Sequence, residues 1–340
     1  MKHLVTFSLK SNQIKRAYFA GLVFLMLAVL LSIFLGSTNL PFSDMVAAFR
    51  DGFHASAGAR IFAYVRLPRT IAALVCGAAL AVSGAVIQCV LANQLASPSI
   101  IGVNAGAGLA VTLCAAAGIV GGWRLSVFAF AGAFAAVLLI SFGAKRWGAS
   151  RGTVILMGVA LNSLLGAISD TVTALLPDVS VMSSHFKIGE FSSIAYPSLL
   201  PAAALILLSI VALCTLHNEL DVLTLGEEHA RGLGMHTAWM RTVFLMLVAL
   251  LAGCAVSLVG MLSFVGLLVP HAVRRMAGNK ALDLIGLCAL FGAGFVCLCD
   301  TVARTLFAPY ELPVGVIMAY LGAPYFVCIL LKRRGGHRND

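Results

Sequence analysis

The sequence predicts an all-α membrane protein of about ten transmembrane helices. Three observations carry this. Of 340 residues, 61% are hydrophobic and only 11% charged, whereas soluble domains carry about 25% charged residues. Mean hydropathy is +1.00. The apolar runs are long and unbroken rather than alternating, and lipid demands that each crossing satisfy its own backbone polar groups, which an unbroken run does as a helix.

The predicted spans lie at about 17–37, 69–91, 99–118, 125–143, 152–176, 194–216, 237–261, 262–275, 282–302 and 312–331, against the ~20 apolar residues a crossing needs. The first follows a basic start, as a secretory signal would. It is too long for a signal core and lacks a small-x-small cleavage site, so it reads as retained. Pro68 suits the first turn of the second span, where its missing N–H costs nothing. The eighth, containing Pro270, is short. Gly102 and Gly106, Gly118 and Gly122, and Gly292 and Gly294 are predicted points of close helix approach, because van der Waals packing drives association in lipid. ALVCGAALAVSG (73–84) faintly echoes ALLAGCAVSLVG (249–260), the pattern of an inverted repeat or a chance match in Ala/Leu/Gly-rich helices. No linker interrupts the helices, so residues 1–340 read as one membrane domain. Segments 1–16, 218–236 and 332–340 lie outside the lipid.

Lys and Arg set orientation, because they concentrate on the cytoplasmic side. With both ends inside, 16 of the 23 basic residues lie in inside segments, among them Lys15, Lys145, Arg151, Arg231, Arg241 and Arg274. The net charge of +10 therefore reflects topology and anionic lipid and makes no case for nucleic acid. All nine cysteines fall in predicted spans, where cysteine behaves as a small hydrophobe. Cys297 and Cys299 point to different faces, and nothing nearby completes a metal site.

No catalytic residue, cofactor or ATP-binding motif is predicted. Gly148-Ala-Ser150-Arg-Gly152 matches a hydrolase elbow only formally, since it sits in a basic connection between membrane helices. Acidic residues within spans are costly and suggest function. Asp300 has Arg304 one helical turn on, so a structural pair and a proton relay are both open. Asp170 lines a wet path or sits at the interface. Arg66 and Arg69 run against the positive-inside trend, and with Arg304 they suit either acidic side chains of an external partner or lipid headgroups.

Residues 218–235, NELDVLTLGEEHARGLGM, interrupt the oily runs on the inner side. Gly226 breaks the chain, Glu227 and Glu228 open a short helix, Arg231 stands near its end, and Gly232 and Gly234 close it. This charge order complements the helix dipole. A two-turn helix does not persist alone in water, so it is held by its own bundle or by a soluble partner.

Five ordered blocks resemble the FecCD-type permease family, the membrane subunits of ABC importers for ferric siderophores, haem and vitamin B12. They are RLPRTIAALVCGAALAVSGAVIQ (66–88), NQLASPSIIGVNAGAG (93–108), LGEEHARGLG (225–234), FVGLLVPHAVR (264–274) and ELPVGVIMAYLGAP (311–324). The resemblance implies the type II importer fold with ten spans, in the cytoplasmic membrane. It implies a homodimer working with two ATPase subunits and an external substrate-binding protein. Gly226, Glu227, Glu228, Ala230, Arg231 and Gly234 would form the helix that couples to the ATPase. Arg66, Arg69 and Arg304 would dock the binding protein, and Asn162, Ser163 and Asp170 would line the inter-subunit path. Small hydroxylated residues that gate the inner mouth in some relatives are replaced here by Arg151 and Gly152. An iron–siderophore is the implied cargo, with cobalamin or haem as alternatives. The reading from a different class is a proton-coupled secondary transporter using Asp170 or Asp300.

Overall fold

A computed structural model describes residues 2–38, 40–50, 56–119, 121–147 and 150–335. Its helices are α1 (Lys2–Phe34), α2 (Phe42–Arg50), α3 (Ala57–Ile61), α4 (Leu67–Val90), α5 (Val103–Ala116), α6 (Gly122–Arg146), α7 (Arg151–Leu175), α8 (Pro177–Ile188), α9 (Tyr196–Thr215), α10 (His217–Thr224), α11 (Glu227–Gly232), α12 (Thr237–Val259), α13 (Val265–Ala277), α14 (Ala281–Thr305) and α15 (Val314–Gly335). No strand occurs among the described residues.

Every predicted span has its helix. Seven helices are long and apolar enough to cross a membrane, and α5 and the Val314–Cys328 part of α15 are shorter apolar helices. The eighth predicted span is α13, of 13 residues. Four helices were not foreseen: α2, α3, α8 and α10. The segment 1–16 is largely helical, because α1 starts at Lys2 and runs unbroken into the first span. At the other end α15 continues to Gly335, and residues 336–340 of the predicted tail lie outside the described residues, as do Gly148 and Ala149 of the elbow match.

The two echoing segments lie in α4 and α12, which pack against each other and are the most enclosed of the long helices, with 78% and 67% of their apolar windows buried. Each is followed by a break and a short helix. After α4 a 3-10 turn, Pro98–Ile101, leads through left-handed Gly102 into α5. After α12 the chain enters α13 through Phe264 at φ +67°, a strained conformation for an aromatic residue. Gly322 of α15 makes room for that ring, since a Cβ there would lie 2.3 Å from Phe264 Cγ.

Close helix approach occurs where small residues meet. A side chain at Gly77 would strike the Gly292 carbonyl at 2.3 Å, and one at Gly106 the Gly132 carbonyl at 2.3 Å. Gly294 is pressed against Phe24 of α1. Gly118 and Gly122 have nothing within 4 Å and serve turns instead, at φ +76° and +73°. All nine cysteines are free thiols, and Cys328, unlike the buried ones, is exposed.

One polar lock joins α4 to α13. Pro270 lies inside α13, and its missing N–H leaves the carbonyl four residues earlier, Gly266, without its helical donor. Gln88 Nε2 supplies that hydrogen bond at 3.0 Å, while Gln88 Oε1 accepts from Arg274. Gln88→Leu strands the carbonyl and leaves the Arg274 guanidinium only the Ala85 carbonyl and Cys89 sulfur as acceptors among the described residues. It is expected to cost about 1–3 kcal/mol, read as a lower midpoint of thermal unfolding in detergent; an unchanged midpoint contradicts the assignment.

Candidate functional site

Two polar centres stand at opposite ends of α14, whose 25 residues span about 37 Å at the helical rise. The first is the α10–α11 element. Gly226 takes φ +107°, ψ 157°, a conformation open mainly to glycine, and so turns the chain between the two short helices. Gly234, at φ +83°, ends α11 as its N–H bonds the Arg231 carbonyl at 2.9 Å and the next N–H bonds Ala230 at 3.1 Å. Ala230 is fully buried, so that face seats α11 on the bundle.

Glu227 holds the seat. Its Oε1 accepts from Arg231 at 2.8 Å and its Oε2 from Arg241 of α12 at 2.9 Å, with Thr237 Oγ1 donating at 3.4 Å. Burial pushes the Glu227 carboxyl up, but Arg241 and then Arg231 outweigh it and hold it below the ordinary value. A carboxyl lowered on folding stabilises the fold above its unfolded value and loses that contribution as pH falls through its folded value. Glu227→Gln is therefore expected to melt earlier than the parent chain at neutral pH, and the gap should close well below about pH 4. A gap independent of pH contradicts the ion-pair account. Outward from this seat lie Glu228, His229 and the exposed side chains of Leu225 and Leu233.

The α10 half is tied to two long helices. Asp221 Oδ1 accepts the Ala281 N–H at 2.8 Å, capping the start of α14. Arg151, at the start of α7, donates Nη2 to the Leu223 carbonyl at 3.0 Å. Arg151, expected in the path, thus reaches the α10–α11 element; a cation suits a carbonyl at a helix C-terminus. Gly152 is exposed beside it, and Ser150 caps α7 by accepting the Thr153 N–H at 3.2 Å.

The second centre is the arginine end. Arg69 donates Nε and Nη2 to Asp300 Oδ1 at 3.0 and 2.9 Å, and Nη1 to Glu311 Oε2 at 2.6 Å. Arg304 Nε lies 3.5 Å from Asp300 Oδ2, and its Nη2 donates to the Ser32 carbonyl and hydroxyl at 2.7 Å. Arg66 donates to the carbonyls of Ile33 and Phe34 at 2.9 and 3.2 Å and to that of Thr38. A side chain at Gly36 would collide with the Arg66 guanidinium at 2.7 Å. Arg66, Arg69 and Arg304, expected to meet a partner's acidic side chains or lipid headgroups, are 3%, 7% and 2% exposed. A guanidinium at lipid depth needs acceptors, and α1, α14 and Glu311 supply them. Arg60 of α3, by contrast, is exposed. Burial pushes the Glu311 carboxyl up, but Arg69 holds it below the ordinary carboxylate value.

Between the two ends runs α7. Asn162 Nδ2 donates to the Ser99 carbonyl at 2.9 Å, bracing the 3-10 turn beside Gly158, where a side chain would strike the Ile100 carbonyl at 2.0 Å. Ser163 is exposed, its hydroxyl bonded to the Val159 carbonyl at 3.1 Å. Asp170, also exposed, pairs with Lys187 of α8 at 3.2 Å. Buried hydroxyls join this region: Thr112 of α5 meets Ser169 of α7 at 2.9 Å and Ser183 of α8 at 2.6 Å. Leu156, Val159, Leu164 and Ile168 leave an uncovered apolar face.

Sequence reasoning missed Arg241, Glu311 and Lys187 as partners. Arg241 opens a span next in line after the Glu227 helix, a signal that was there to use. Glu311 and Lys187 meet their partners only through tertiary packing and the unforeseen α8.

Fold and site together define a polytopic helical permease of the ABC importer class, with a seated two-helix element at one end and an ion-pair cluster at the other. The model of the FecCD transport family matches residues 24–332, and the chain belongs to that family. It is similar to the hemin transport system permease protein HmuU of Yersinia pestis, 35% identical over 91% of this chain and 95% of the relative. It is 34% identical to the vitamin B12 import system permease protein BtuC of Citrobacter koseri, over 98% of this chain and 100% of the relative. Among solved structures, a metal-chelate type ABC transporter in an inward-facing conformation superposes with TM-score 0.82 at 28% identity, covering 92% of this chain and 98% of that one. Permeases of this class work with ATPase subunits and substrate-binding proteins.

Proposed function

We propose that this chain forms a homodimeric pore in the cytoplasmic membrane, importing an iron(III)–siderophore or a related metal chelate, with hydrolysis supplied by two separate ATPase subunits. The observation that carries the reading is the Glu227 seat. It fixes α11 to α12 through Arg241, while Leu225 and Leu233 face outward for an ATPase surface to grip. Motion delivered there has two routes inward, through Glu227 to α12 and through Arg151 to α7.

The uncovered face of α7, with Ser163 and Asp170 along it, supports a path formed against a second copy. Positive-inside charge supports both ends cytoplasmic around a single membrane domain. At the arginine end, direct contact with a binding protein's carboxylates requires Arg66, Arg69 or Arg304 to exchange acceptors within the chain for acceptors outside it. Cargo class rests on relatives named for hemin and vitamin B12 and on the metal-chelate structure, all metal-bearing macrocycles or chelates. The test is purification of the tagged chain from native membranes in mild detergent. An ATPase at one copy per permease, with uptake of a ferric siderophore in vesicles, supports the proposal. A chain that arrives alone, with uptake abolished by an uncoupler while ATP is maintained, overturns it for the proton-coupled reading.

A further inference from the structure

Between α11, the last turn of α6 and the first turns of α12 lies a cavity of about 70 Å³. Its charged lining is unbalanced: Lys145, Arg231 and Arg241 face a single carboxylate, Glu227, which already accepts from two of them. Arg241 is 6% exposed, so its charge is little screened by solvent. The cavity is bounded by one face of the first turns of α12, through Ala238, Arg241, Thr242 and Leu245, toward the positive end of that helix's dipole.

A second feature points the same way. Ser141 lines the cavity, is 4% exposed, and its hydroxyl has no hydrogen-bond partner among the described residues. A buried hydroxyl without a partner is destabilising by itself, and a ligand oxygen would satisfy it. Thr242 also lines the cavity, its proton directed to the Ala238 carbonyl at 3.0 Å; only by turning that proton toward a ligand oxygen would it become a second donor. Lys145 lies 5.7 Å from the centre of the Trp239 ring. Trp239 and Phe142 are exposed, so apolar surface adjoins the cationic opening.

We propose that this cavity binds a phosphate group, bridging α11 to α6 and α12. Water alone could fill the space and would leave Lys145 and Arg231, both exposed, to solvent. A phosphate adds a fixed counter-charge to them, accepts from Ser141 and is large enough to contact both together. The carboxylate of Glu227 opposes the anion and is offset by the guanidiniums of Arg231 and Arg241. The phosphate comes either from the headgroup of an anionic phospholipid, with its chains against the apolar surface near Trp239, or from free phosphate. Placement on the inner leaflet rests on the orientation proposed above; the binding itself does not.

The test uses the purified full chain in phosphate-free detergent, with binding of dioctanoyl phosphatidylglycerol and of inorganic phosphate followed by native mass spectrometry and thermal shift. Saturable phosphatidylglycerol binding is expected to weaken at least tenfold in Lys145→Glu and in Ser141→Ala, and to be unchanged in Arg146→Glu, whose charge is adjacent but outside the lining. Ser141→Ala should keep or raise the melting point of the empty chain. Inorganic phosphate binding with the same variant pattern, in place of the lipid, supports the site and assigns the soluble source. Equal losses in Lys145→Glu and Arg146→Glu indicate diffuse surface attraction and overturn the proposal. So does failure of both phosphate probes to saturate the parent chain. Neither result bears on the importer assignment, which is read from partner capture and uptake.

Discussion

Asp300→Asn is expected to lose the folded chain, and not merely transport. Asp300 is fully buried and takes three hydrogen bonds from Arg69, with Arg304 close on its other oxygen. Asparagine fills the same volume but removes the negative charge from among guanidiniums that are themselves buried. Breaking a buried pair in this way costs about 3–5 kcal/mol, because it leaves charge at low dielectric without compensation. The variant should accumulate poorly and melt much earlier in detergent. Adding Arg304→Met, which restores the charge balance, should recover part of the loss. A proton carrier predicts the opposite: Asp300→Asn would fold as the parent does and lose only uptake. A normal melting curve would therefore return Asp300 to the proton-coupled reading.

Glu227→Lys carries the largest expected effect on transport. The carboxylate is the shared acceptor of Arg231 and Arg241, and lysine there puts three cations together at the foot of α12. Arg241, 6% exposed, cannot simply turn to solvent, so α11 should leave its seat. The bundle packs through other helices, so folding should survive while uptake with the ATPase partner falls at least about 100-fold, equivalent to ~2.7 kcal/mol of lost coupling. ATP hydrolysis by the co-purified complex should continue or become independent of substrate. Adding Arg241→Glu rebuilds an ion pair of reversed polarity and should recover part of the uptake. Normal uptake in the single variant would remove Glu227 from the coupling route.

How far the site was legible differs between its two ends. The α11 element could be read because its parts are local: glycines at the turns, acids in the first turn and a base in the last lie within ten residues of one another. Charge order along one short helix is a property of sequence. The arginine end could be read only as charge. Arg66 and Arg69 were visible as basic residues against the topological trend, but whether they faced a partner or their own chain depended on Ser32, Asp300 and Glu311, far away in sequence. Arg151 shows the same limit. The resemblance suggested the path, yet its hydrogen bond goes to Leu223, 72 residues further along the chain, which only tertiary packing brings beside it.

By itself the sequence determined that the chain crosses lipid as helices, about how many, and where the soluble interruption falls. Unbroken apolar runs and the cost of unpaired backbone groups in hydrocarbon leave no other solution. It also determined which residues could be charged at depth. Tertiary structure decided what each of those charges meets. In lipid a buried guanidinium or carbonyl must find a partner wherever packing brings one, and so Gln88 answers the carbonyl freed by Pro270, Glu311 answers Arg69, and Glu227 answers Arg241. The first two of those pairings join segments distant in the chain, and no local pattern encodes them; the third joins two consecutive helices.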